Sequence, residues 1–343
     1  EMCIRDRLHH AAIDGVSGAE ILTILLDADP AGRPIEPPDD SWEGQAVPSP
    51  MSLLLRSAAR TALSPARAAR VAYDLARSIP GLNPLKSLPA LVGLGRDRDE
   101  FLSRPTLIAP RSLLNRPITP HRRWVFGEVS LESVRAIKTA AETTVNNVVI
   151  CAAAGAVRSW MLEHGDLPDR SLQALIPISI RTEAEQGDIG NKVSGMIAPI
   201  GTHLADPVER LAFVHHTMEI ARETHQATPA TMLQDFAQFA PPAIAARAAR
   251  LAYRNGRGGR WTPFNLVISN VPGPHFPLYL AGAQLEGLYQ VSCITDGAAL
   301  NITLHSYLGQ LCFGLIADRD LVPDLASILS AIHDEVAYLE TEL

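Results

Sequence analysis

Residues 9–15 read His9-His10-Ala11-Ala12-Ile13-Asp14-Gly15: two adjacent imidazoles, then a carboxylate and a glycine at fixed spacing. With 11 histidines and 23 glycines in 343 residues, a chance match to HHxxxDG anywhere in the chain has odds of about one in a thousand, so the pattern is informative. Ser17 and Glu20 form a capping-box pattern ahead of the apolar run Ile21–Leu26, which predicts a helix over 17–27. The motif therefore lies on a tight loop between a strand end and a capped helix, and Gly15 gives that loop backbone freedom a side chain would forbid. A histidine titrating near neutrality can take a proton from a hydroxyl and return it to a leaving group. The motif brings no Ser or Cys nucleophile, which favours direct transfer over a covalent acyl-enzyme.

Working outward, Pro30, Pro34, Pro37, Pro38, Pro48 and Pro50 exclude regular structure and mark a linker over 28–50. Residues 51–79 predict helix, with five arginines set among Ala, Leu and Val and a break at Pro65. A proline-rich connection comes next. From residue 122 the pattern is regular α/β: a strand at Trp124–Val129, a helix over 131–142, and a second helix at Val148–Leu162, apolar all round and hence buried. Strands are expected at Leu172–Ile180 and Val193–Ile200, then a helix opened by Asp206-Pro207. The basic stretch 241–258 reads as helix. Strand-like runs occupy Phe264–Asn270, Leu285–Ile294, Leu300–Tyr307 and Gln310–Ile316, with Pro277–Leu280 marginal, before an acidic helix over 322–341.

Composition narrows the classes. Hydrophobic residues make up 47% and charged residues 20%, enough for a sizeable core and far from a disordered chain. A net charge of −7 excludes a generally basic nucleic-acid binder. Cys3, Cys151, Cys293 and Cys312 form no CxxC pair and have no histidine at ligand spacing, which points to reduced thiols and away from structural zinc. No apolar run reaches the roughly 18 residues of a membrane span, so neither a transmembrane helix nor a secretory signal is expected.

His9–Gly15 resembles the active-site motif of the bacterial wax ester synthase/diacylglycerol acyltransferase (WS/DGAT) family. That family is similar in fold to chloramphenicol acetyltransferase, peptide-synthetase condensation domains and the plant HxxxD acyltransferases. The narrower resemblance rests on Thr144–Val149, Pro177-Ile178-Ser179-Ile180-Arg181, Gly190-Asn191, Ser269-Asn270-Val271-Pro272-Gly273-Pro274, and the ending Ser306-Tyr307 through Asp318-Arg319-Asp320. It covers nearly the whole chain. HHxxxDG alone marks the superfamily; SNVPGP with PISIR marks the lipid acyltransferases. The implied fold is α/β, a chloramphenicol acetyltransferase-like two-half acyltransferase fold with mixed sheets and flanking helices. Family members carry roughly a domain's worth of sequence ahead of the motif, so the expectation is an N-terminally truncated chain with the first half mostly missing. On that expectation 1–45 is a remnant of the N-terminal half, 46–120 crossover helices and linker, and 121–343 the C-terminal half.

The resemblance implies that His10 is the catalytic base and His9 a neighbour that packs or fixes its tautomer. It implies that Asp14 turns from the substrate tunnel to pair with an arginine, with Arg181 the candidate, while Gly15 completes the loop. Ser269 and Asn270 are candidate tunnel or oxyanion donors, against the alternative of a strand-end turn dictated by Pro272-Gly273-Pro274. One departure stands out: Asn146-Asn147 occupies the place of the family's Asn-Asp. His215-His216 and Asp296-Gly297 repeat parts of the motif and read as an incidental helix doublet and a turn. The implied activity is O-acyl transfer from acyl-CoA to diacylglycerol or a long-chain alcohol. It needs no metal and no cofactor beyond coenzyme A as part of the donor, and no nucleic acid. The implied location is cytoplasmic, peripheral at the inner membrane face or lipid droplets. The basic helical stretches read as solvated faces, with anionic lipid or coenzyme A phosphates as the alternative. Two alternatives remain: a condensation-type acyltransferase taking a carrier-protein thioester, and an inactive acyl-CoA or lipid-binding remnant.

Overall fold

The computed structural model describes residues 108–179, 193–227 and 262–343 continuously, together with Thr106 and scattered positions between Gly18 and Arg56. The chain forms two compact units, one of residues 1–32, 98–223 and 252–343, the other of 33–97 and 224–251. In the smaller unit the described residues include a helical turn starting at Met51, capped by Ser49, whose Oγ accepts from Ser52 N at 3.2 Å. The basic stretch at 241–258 and most of 51–79 lie outside the described residues.

The larger unit is built on β1 (Arg122–Ser130), β2 (Gln173–Ser179), β3 (Val193–Pro199), β4 (Leu266–Val271), β5 (Tyr279–Leu280), β6 (Ala283–Gln284), β7 (Leu300–Tyr307) and β8 (Gln310–Asp318). Six of these strands form a sheet in the order β1-β8-β7-β4-β2-β3, while β5 and β6 pair separately. β4 runs parallel to β2 and β7, and the remaining pairings are antiparallel, so the sheet is mixed. The β7–β8 hairpin closes on Leu308-Gly309, both at positive φ (45° and 80°), the two-residue geometry that matches strand twist.

Among the described residues, helices α1 (Leu131–Ala140), α2 (Val145–Glu163), α3 (Pro207–Ala227) and α4 (Leu325–Glu342) accompany this sheet. α3 starts where Asp206 Oδ1 accepts from Val208 N and Glu209 N at 2.7 and 3.0 Å, the cap its sequence announces. α4 buries Leu325, Ile328, Ile332, Val336 and Leu339, a three-and-four spacing that makes one apolar stripe. Between α4 and β1 the approach is close at Gly127, where a Cβ would stand 3.1 Å from Leu329. α2 qualifies by length and composition for crossing a membrane, with mean hydropathy 1.3 over its apolar window, and so exceeds what reading uninterrupted apolar runs suggests. That window is 72% buried inside the protein, packed with α1, α4 and the sheet as the core helix.

The stretch Leu285–Ile294 corrects the strand expectation. It alternates like a strand but joins no ladder; it lies across the sheet face opposite the helical core. Gln290 O sits on Gly314 of β8, where any Cβ would overlap it. Side chains hold the segment down: Asn301 Nδ2 donates to Cys293 O at 3.1 Å, and Ser292 Oγ and Thr303 Oγ1 share a hydrogen bond at 2.7 Å. Alternation reported a segment with two unlike sides, and packing on a face satisfies that pattern as well as pairing at an edge.

Candidate functional site

His9, His10, Asp14, Gly15 and Arg181 lie outside the described residues. The helix C-terminal to the motif is described in part. Gly18, Ile21, Leu22, Ile24 and Leu25 are helical, and Asp27 then exchanges two backbone hydrogen bonds of 2.8 Å with Tyr279. Leu26 packs in a small cluster with Leu278, Tyr307 and Cys312. The Tyr307 hydroxyl accepts from Leu278 N at 2.9 Å and donates to Leu285 O at 2.8 Å. The helix after the motif is thereby tied to the strand that comes after Ser269–Pro274.

Ser269 and Asn270 sit on β4 itself, ahead of the turn. Adjacent strand residues point to opposite faces. Ser269 pairs with Thr303, in the polar layer beneath Ser292, whereas Asn270 pairs with Leu304, on the side of the helical core. A single oxygen can therefore draw on one of them, not both. The turn has its own steric logic: a Cβ on Gly273 would overlap Ser306 O and the His305 ring, and Gly273 N donates to Ser306 Oγ at 2.9 Å. Only glycine lets the Pro-Gly-Pro turn lie this close on β7.

Asn270 opens into a cavity of about 220 Å³. Leu131 and Leu311 give it apolar wall, and Arg135, His275 and Ser306 join Asn270 as its polar groups. Sequence reading missed Arg135 and His275: one is a surface arginine on a helix, the other comes after a proline turn, and nothing local connects them.

Two imidazole neighbourhoods complete the picture, one buried and one half-exposed. His305 is 1% exposed, its Nδ1 is 3.4 Å from Gln290 Nε2, and its Nε2 has no partner among the described residues. Burial holds this imidazole below its usual range, so it is neutral at pH 7. Asn147 is fully buried in the first turn of α2 and donates to Thr143 Oγ1 at 2.9 Å, while Thr143 meets His215 Nδ1 at 2.9 Å. Its Oδ1 has no partner among the described residues. The His215-His216 doublet lies mid-helix as expected, yet His215 takes part in this cluster and faces Glu219 at 3.4 Å. Elsewhere Glu163, His164 and Asp324 bring ligand atoms within 4.8 Å of one another. Asp324 already accepts from Trp160 Nε1 at 2.7 Å, so the cluster reads as a helix-end contact, not a metal centre.

The model of the wax ester synthase/diacylglycerol acyltransferase catalytic domain matches residues 3–149, which contain His9–Gly15. That of the WS/DGAT C-terminal domain matches 189–340. The O-acyltransferase WSD of Acinetobacter baylyi is 31% identical over 97% of this chain and 69% of its own length. The chain belongs to the WS/DGAT family. Another relative, a probable diacylglycerol O-acyltransferase of Mycobacterium tuberculosis, is 33% identical over the same shares of the two chains. Among solved structures, the wax ester synthase/diacylglycerol acyltransferase from Marinobacter aquaeolei VT8 superposes with a TM-score of 0.61 at 29% identity, covering 98% of this chain. This WS/DGAT chain spans 66% of the length of that structure. The mixed sheet with flanking helices is thus the WS/DGAT fold.

Proposed function

We propose that this chain transfers a fatty acyl group from acyl-CoA to the hydroxyl of diacylglycerol or of a long-chain alcohol. The observation that carries the reading is HHxxxDG at residues 9–15, inside the stretch that the family's catalytic-domain model matches. His10 takes the acceptor proton as the oxygen attacks the thioester carbonyl, and returns a proton to the departing thiolate. His9 orients His10, and an Asp14–Arg181 ion pair holds the loop. The acceptor and the donor's acyl chain are apolar, which suits a reaction at a lipid surface, and our reading puts it on the cytoplasmic side. Holding them together in a water-poor site supplies much of the rate through orientation.

Turnover of labelled long-chain acyl-CoA with diacylglycerol, and separately with a fatty alcohol, tests the reading. His10→Ala is expected to cost on the order of 10²–10⁴ in rate, and His9→Ala less. Near-unchanged turnover in His10→Ala would overturn the assignment of the base.

A further inference from the structure

We propose that the cavity beside Asn270 binds the phosphate at the end of the donor's pantetheine arm. The proposal rests on the acyl-transfer reading above and gives its donor a second point of attachment. Arg135, Asn270, His275 and Ser306 converge on a volume of about 220 Å³. That space holds a phosphate with its adjoining carbons and is too small for a whole nucleotide. Among the described residues no carboxylate lines it, and the side chains of Arg135, Asn270 and His275 make no hydrogen bond. Ser306 Oγ accepts from Gly273 N, which leaves its hydroxyl proton free to donate. The set is therefore rich in donors, carries the Arg135 guanidinium, and has nothing in it to attract a cation. A guanidinium with neutral donors around it suits a phosphate.

Two further features point the same way. α1 and α2 both begin at the cavity wall, at Leu131 and Val145, so the positive ends of two helix dipoles lie beside it. Leu131 and Leu311 supply an apolar side against which the methylated carbons next to the pantetheine phosphate can rest. Coenzyme A and a carrier protein's phosphopantetheine share this phosphate, so the chemistry is common and the source is for experiment to separate.

Calorimetric titration of the 343-residue chain with coenzyme A, 4′-phosphopantetheine and pantetheine is the test. Phosphopantetheine should bind about tenfold or more tighter than pantetheine, the worth of a charge-assisted hydrogen bond. Arg135→Met should remove most of that ratio and His275→Gln part of it, while Lys138→Met, a change elsewhere on α1, should leave it intact. In turnover, Arg135→Met should raise the KM for acyl-CoA about tenfold with kcat within about twofold. Coenzyme A binding tighter than phosphopantetheine supports the free coenzyme as the source; equal binding supports a carrier arm. Equal affinity for phosphopantetheine and pantetheine, or a ratio that survives Arg135→Met, overturns the site. Phosphate-dependent binding without acyl transfer would overturn the proposed function and leave the site standing, whereas acyl transfer without phosphate dependence does the reverse.

Discussion

Arg210 donates to Glu335 over 2.7 Å between α3 and α4, with the guanidinium 1% and the carboxylate 13% exposed. The same guanidinium also donates to Ala205 O at 2.9 Å and Leu204 O at 3.2 Å, so few of its donors are wasted. The pair sits directly over Gly155 of α2, where a Cβ would overlap both partners. Burial pushes the Glu335 carboxyl above the ordinary carboxylate range, and the adjacent Arg210 pulls it back.

Gly155→Ala tests that geometry, because the same change in an exposed helix would gain about 1 kcal/mol. Here it should cost about 3 kcal/mol by prising the ion pair apart. Arg210→Met should cost a similar amount by stranding Glu335, and Arg210→Met with Glu335→Leu should cost less than the two single changes summed. Urea unfolding of the four-member cycle measures this, and additive losses would show that the pair is not coupled.

Gly273→Ala should force the Pro-Gly-Pro turn off β7, since the new methyl has Ser306 O and the His305 ring in its place. We expect a stability loss of about 1–3 kcal/mol, as for other overpacked sites. Pantetheine-phosphate affinity should fall with it, because Pro272, His275 and Ser306 all line the cavity. Unchanged melting in Gly273→Ala would mean the turn has room that the structure denies it.

The depressed titration of His305 has a sign. The folded protein binds this proton less readily than the unfolded chain, whose imidazole titrates near 6.5. Its contribution to stability is therefore complete above that pH and is lost as the pH falls through the folded value, at up to about 1.4 kcal/mol per pH unit. Burial lowers His203 too, and it adds to the same acid limb. His305→Leu should flatten part of that limb in pH-dependent unfolding while changing stability at pH 8 little, since Nε2 gives up no partner and Nδ1 only a long 3.4 Å contact with Gln290 Nε2. A limb that keeps its full slope in the variant would exclude His305 as a source.

Asn147→Asp puts a carboxylate at a fully buried position. Its helix-start location favours a negative charge by at most about 1–2 kcal/mol. Against this stands the cost of burying a carboxylate whose neighbours, Thr143 and His215, offer one hydroxyl and an imidazole. We expect a net loss of about 1–3 kcal/mol at pH 8. The loss should shrink toward pH 5.5, where the buried carboxyl takes a proton and its desolvation cost falls. Thermal melts at the two pH values decide the matter, and a variant more stable at pH 8 than the parent would refute it.

Periodicity and capping in the sequence alone determined β1, the burial of α2 and the Asp206 start of α3, because each depends on neighbours a few residues away. Motif reading likewise singled out His9–Gly15 and Ser269–Pro274, since their spacing is local. Alternation, however, says only that a strand has two unlike sides, never what each side meets. Only the tertiary structure decided that Leu285–Ile294 lies across the sheet, that Ser269 and Asn270 part to opposite faces, and that His215 reaches Asn147. Arg135, Asn270, His275 and Ser306 come from three separate stretches of chain and have no common signal in the sequence. They meet because β4 and β7 run parallel side by side while α1 begins at the end of β1. Long-range packing sets that arrangement, and no window along the chain contains it.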